Sequence, residues 1–93
     1  MMLDFIGYIE EGPERREFVL RVFGPKRDIK GGDYFVELQA PAVLTKTERI
    51  FGVDEDQARQ LATRYLIARL DGRWVYDHGG QLVDIRALLE RMK

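Results

Sequence analysis

The chain has 93 residues, a formal net charge of -1 and no cysteine, with 45% hydrophobic and 33% charged residues. That length supports one modest core, and the composition is that of an ordinary soluble domain. The near-zero charge excludes a general field for nucleic acid or anionic membrane, and the missing cysteines exclude disulfides, thiolate metal sites and cysteine catalysis.

The start, Met1-Met2-Leu3-Asp4-Phe5, carries no basic region, so no signal peptide is expected. No run approaches the roughly 18 apolar residues of a membrane span. A cytoplasmic setting is expected.

Residues 3–10 are predicted as a first strand, with Phe5, Gly7 and Ile9 on one face and Ile6 and Tyr8 on the other. Glu11-Gly12-Pro13-Glu14 is a turn cluster. Residues 16–23 follow as a second strand, Phe18, Leu20 and Val22 against Val19, Arg21 and Phe23. The short link argues an antiparallel hairpin. Residues 24–32 are predicted as a loop, punctuated by Pro25 and Gly31-Gly32. Residues 33–40 read as a third strand, with Tyr34, Val36 and Leu38 opposite Phe35, Glu37 and Gln39, and residues 45–51 as a fourth.

A long helix is expected next. Asp54 can cap it, Gln57 can reach back to the Asp54 amide, and Val53 with Ala58 holds the positions of a hydrophobic staple. Glu55 and Asp56 suit the positive end of the dipole, and Glu55 with Arg59 forms an i,i+4 pair. Ala58, Leu61, Ala62, Tyr65, Leu66 and Arg69 recur at three-and-four spacing, predicting one buried stripe. The helix should stop near Asp71-Gly72, with Gly72 free to adopt a left-handed conformation. Residues 73–76 are a short β-like run, and His78-Gly79-Gly80 a turn. Asp84, preceded by Val83, can cap a short helix bearing Ile85, Leu88, Leu89 and Met92, with Arg91 and Lys93 favouring its end.

Strands before helices, joined by short links, predict an α+β fold: a four-stranded antiparallel meander sheet packed on one long helix, with a short C-terminal helix. Residues 1–93 are expected to form one domain.

Strands followed by Gly-Val-Asp-x-x-Gln-Ala at Gly52 to Ala58, an apolar-periodic helix, an aromatic run and a Gly-containing turn resemble a group of small bacterial proteins carrying a domain of unknown function. The resemblance covers most of the chain, and its specific part is the seven-residue helix start. It implies the fold and a bacterial origin, and no activity. The group has a Cys near the third strand and a Trp-rich tail, whereas this chain has no Cys and only Trp74.

Four features could carry function. Lys26, Arg27 and Lys30 lie among glycines and could cradle an anion through cations and loop amides. The segment lacks phosphate-loop spacing and leads into a strand, so a solvated hairpin loop is the plainer reading. His78, beside Asp77, is the one imidazole available for proton transfer, with no nucleophile motif to serve, so it also reads as a turn residue. Glu10, Glu11 and Glu14, and separately Asp54, Glu55 and Asp56, could do acid-base work or bind a hard cation; solvation and helix capping explain them as well. Tyr8, Phe35 and Trp74, with Arg21 and Arg73, could form a stacking platform for single-stranded nucleic acid.

The strand face carrying Ile6, Tyr8, Val19, Arg21, Phe23 and Phe35, with Trp74 nearby, is more apolar than a solvated face requires. It makes a non-catalytic interaction module, a homodimer or an adaptor for another protein, the first expectation. Binding of nucleic acid or an anionic ligand through residues 24–32 and the sheet aromatics is the alternative. No catalytic residue, metal site or cofactor is expected.

Overall fold

The structure, a computed structural model, describes residues 2–92. The described residues form a five-stranded antiparallel sheet and two helices. The strands are β1 (Leu3–Glu11), β2 (Glu14–Arg27), β3 (Tyr34–Gln39), β4 (Glu48–Gly52) and β5 (Trp74–Asp77); the helices are α1 (Glu55–Leu70) and α2 (Ile85–Glu90). The spatial order is β4-β3-β2-β1-β5.

The expected four-strand meander is present, and β5 extends it at the β1 edge. The β-like run at residues 73–76 returns from the helix to pair Val75 with Ile9 and Tyr76 with Tyr8. Val75 is buried beside Ile9, so period-two alternation carries the core face onto the added strand. Gly7 permits the approach, because a Cβ there would collide with the Tyr76 carbonyl and lie 2.9 Å from the Phe5 ring.

β2 runs four residues beyond its predicted end at Phe23, into the predicted loop. Gly24-Pro25 is a bulge in β2: the register shifts between Phe23 and Lys26, then pairing resumes as Lys26 with Phe35 and Arg27 with Tyr34. Gly24 sits at φ 102°, where an added Cβ would meet the Phe35 carbonyl oxygen at 2.9 Å. β4 is shorter than predicted, because a turn at residues 41–43 and a bend at 45–46 precede it, with Leu44 buried between them.

The start of α1 shows why the helix begins there. The Asp54 carboxylate accepts from the Gln57 amide at 2.7 Å, as expected. The Gln57 side chain accepts from the Val53 amide at 2.7 Å, one residue before the expected target. Val53 is 70% exposed, so the predicted staple with Ala58 does not form. Gly52 makes the contact instead: a Cβ there would collide with the Ala58 amide and lie 2.9 Å from the Ala58 Cα. The absent side chain lets the first turn of α1 rest on the end of β4.

Ala58, Ala62, Leu66 and Leu70 form the fully buried line of α1, with Leu61 and Tyr65 half-buried beside it. Arg69 is outside the stripe; it is exposed, with its guanidinium 5.1 Å from the Tyr65 ring centroid. Gly72 follows at φ 78°. In α2, Asp84 accepts from the Arg86 and Ala87 amides, Leu88, Leu89 and Met92 are buried, and Arg91 is the C-cap. Lys93, like Met1, lies outside the described residues.

The core fills the space between the sheet and the helices. Phe18, Leu20 and Val22 from β2 and Val36 and Leu38 from β3 are at 0% exposure. Burying each such side chain contributes about 1.5–3 kcal/mol relative to leaving it exposed. Among the described residues, no helix is long and apolar enough to cross a membrane.

Candidate functional site on the outer sheet face

Pairing carries alternation across the whole sheet. Residues opposite one another share a face, so the register fixes which side chains lie away from α1. Ile6 pairs with Val19, Tyr8 with Glu17 and with Tyr76, Glu10 with Arg15 and with Trp74. Further along, Arg21 pairs with Gln39, Phe23 with Glu37, Glu37 with Arg49, Lys26 with Phe35 and Phe35 with Phe51. All these residues lie on the outer face. Tyr8, Val19, Arg21, Phe23, Phe35 and Trp74, singled out from the sequence, are therefore together there.

Aromatic side chains gather at two corners. At the β5 corner the His78 ring lies parallel to Tyr8, with centroids 6.2 Å apart and 10° between planes. The Arg15 guanidinium sits 4.3 Å from the Tyr76 centroid and 5.5 Å from that of Tyr8. At the β4 corner Phe35 and Phe51 are 5.7 Å apart, and the Arg49 guanidinium is 4.8 Å from the Phe35 ring. Between the corners lie Ile6 and Val19. Trp74 is 59% exposed, Ile6 47% and Phe51 46%.

Carboxylates pair with the arginines of this face. Arg15 meets Glu10 at 4.0 Å, Arg21 meets Asp4 at 3.4 Å and Arg49 meets Glu37 at 3.3 Å. Each pair, facing water, contributes roughly 0–1 kcal/mol. Their larger effect is to leave the face without a strong net field. Phe51, Tyr76, Arg15 and Arg49 were not singled out from the sequence. Alternation within residues 73–76 and 45–51 carries a signal for the aromatics, but the arginines become visible only once the register is known.

The basic segment does not form a cradle. Lys26 and Arg27 are consecutive strand residues and so point to opposite faces. The remaining loop closes on Asp28. Its carboxylate accepts from the Lys30 amide at 3.2 Å, its carbonyl accepts from the Gly32 amide at 2.9 Å, and its own amide donates to the Asp33 carbonyl at 2.6 Å. The loop thus spends these amides on acceptors it already contains, one carboxylate and two carbonyls.

Arg73 is also engaged. It donates to the Arg69 carbonyl at 2.6 Å and lies 3.2 Å from Glu11, tying the end of α1 to the β1–β2 hairpin. His78 is exposed in its turn, and the neighbouring Asp77 carboxylate accepts from the Gln81 amide. The acidic patches have local work: Glu10 and Glu11 face Arg15 and Arg16, while Glu55 and Asp56 hold Arg59 at 3.5 and 2.8 Å. Among the described residues no three His, Asp or Glu side chains converge as a metal set. A depression of about 490 Å³ between α1 and α2, lined by Arg64, Ile67, Arg86 and Leu89, lies on the helix side, away from the aromatic face.

The outer face offers broad apolar and aromatic contact, and its three arginines each hold a carboxylate. No protein-family model, curated protein or solved structure matches the chain.

Proposed function

We propose that the protein is a non-catalytic interaction module that works as a homodimer, with the outer sheet face as its contact surface. The observation that carries this reading is the collection of Ile6, Tyr8, Val19, Phe23, Phe35, Phe51 and Trp74 on one face whose arginines each hold a carboxylate. Burying the exposed apolar area contributes on the order of 25 cal/mol per Å². Tyr, Trp, Phe and Arg are the residue types enriched in protein interfaces. The matched ion pairs mean that burial strands no lone arginine.

The test is size-exclusion chromatography with light scattering at low and high salt. A dimer at both salts is expected, because the contact is mainly apolar. A strictly monomeric chain at micromolar concentration would overturn the reading.

A second reading is single-stranded nucleic acid stacking on the β5 corner. Arg15, Tyr8, Tyr76 and His78 form a layered cation and aromatic group that favours it. Glu10 and Glu17 on the same face oppose it. This reading expects oligonucleotide binding that falls steeply with salt. Equal binding after Lys26→Ala and Arg27→Ala would remove the basic segment from it. A cytoplasmic setting and membership of the small bacterial group suggested by Gly52 to Ala58 belong to the same proposal.

A further inference from the structure

The outer face carries four cations, Arg15, Arg21, Lys26 and Arg49, and four carboxylates, Glu10, Glu17 and Glu37 at the strand positions already given and Asp4 opposite Arg21. Three pairs form within the chain: Arg15–Glu10, Arg21–Asp4 and Arg49–Glu37. Among the described residues, Glu17 and Lys26 make no ion pair within the chain. They are opposite in sign and lie on the same strand, β2. Nine positions separate them (26 − 17), about 30 Å at a strand rise of roughly 3.3 Å per residue. They cannot reach one another in one copy.

A second copy brings them together. A two-fold interface is self-complementary: if one residue meets a second, the second meets the first. We propose that two chains pack outer face on outer face with β2 antiparallel to the partner's β2. The axis passes near the midpoint of the two residues, between Arg21 and Val22. Glu17 then lies over Lys26 of the second copy, and the same contact forms again at the other end. Aligned sheet packing tilts the strands by about 30°, which the Glu and Lys side chains are long enough to span.

The arrangement accounts for both leftover charges at once. It leaves the face neutral in the dimer, and every outer-face cation has a carboxylate. It also sets a specific register for what the apolar side chains alone would leave free to slide. The inference rests on the homodimer reading and goes further by fixing its geometry.

The test uses two charge reversals, Glu17→Lys and Lys26→Glu, at exposed strand positions. Each variant alone places like charges at both ends of the interface. Self-association should weaken about tenfold or more at low salt, with like charges juxtaposed. An equimolar mixture of the two variants should form a heterodimer, because each of its ends then joins a Lys to a Glu. The chain carrying both substitutions should dimerise like wild type. Light scattering for mass and native mass spectrometry for composition read all of these. The restored mixture also shows that the single variants fold.

If wild type is a dimer and both single variants dimerise as tightly, the register is wrong while the homodimer stands. If the single variants weaken and neither the mixture nor the double variant restores association, the pairing is likewise overturned. If wild type is a monomer, the homodimer reading fails and the register with it.

Discussion

Two faces of one strand divide the molecule's work. On β2, Phe18, Leu20 and Val22 are at 0% exposure, while Glu17, Val19, Arg21 and Phe23 lie between them on the opposite side. The inner residues are aliphatic or aromatic and close-packed, and they hold the fold. The outer ones mix apolar, aromatic and charged side chains, with Arg21 paired to Asp4 and Glu17 unpaired within the described chain. A face that only needed solvation would not require Ile6, Val19, Phe23, Phe35 and Phe51. Inner substitutions should therefore be read in stability, and outer ones in association.

The largest effect is expected on the inner face. Leu20→Ala or Leu38→Ala should cost about 2–5 kcal/mol, since each leaves a cavity in a fully buried layer; urea denaturation of the purified variants measures it. An inner-face loss under 1 kcal/mol would break the contrast between the faces.

Next comes the seam between sheet and helix. Gly52→Ala places a Cβ against the backbone of Ala58, which cannot give way as a side-chain tip would. A loss of roughly 1–3 kcal/mol is expected, the usual range for overpacking, with the same denaturation readout. Asp54→Ala removes the acceptor for the Gln57 amide and should cost about 1 kcal/mol. Helical content near the melting point, followed by circular dichroism, sharpens that assignment to α1.

The smallest effect on the fold is expected outside. Ile6→Ser should change the stability of the dissociated chain by no more than about 0.5 kcal/mol, yet weaken self-association. Wild type should then melt at a temperature that rises with protein concentration, because association stabilises by mass action. The Ile6→Ser protein should show a flatter dependence. Equal concentration dependence in both would mean that Ile6 lies outside the contact.

Much of the inner face is legible in the sequence, because period-two alternation in residues 3–10, 16–23 and 33–40 names its members directly. Asp54 and Asp84 likewise mark both helix starts. What escapes is whatever depends on distant pairing. The Gly24-Pro25 pair reads as the end of a strand, but the ladder resumes past it because Phe35 and Tyr34 supply partners. Residues 73–76 read as β-like without a place, since their partner strand lies more than sixty positions upstream at Tyr8 and Ile9. Arg69 reads as part of the buried stripe on spacing alone; it is exposed instead, with its guanidinium over the Tyr65 ring. Lys26 and Arg27 look like neighbours in one basic loop, and strand alternation sends them to opposite faces. The six outer-face residues are legible as a group, whereas the cations paired around them need the register.

The most direct test of the outer-face contact is oxidative side-chain footprinting at a dilute and a concentrated protein sample. Tyr8, Phe23, Phe35 and Trp74 are expected to be labelled in the dilute sample and protected in the concentrated one, while Tyr65 on α1 is labelled equally in both. Equal labelling of the outer-face aromatics at the two concentrations, or protection confined to the helix side, would contradict it.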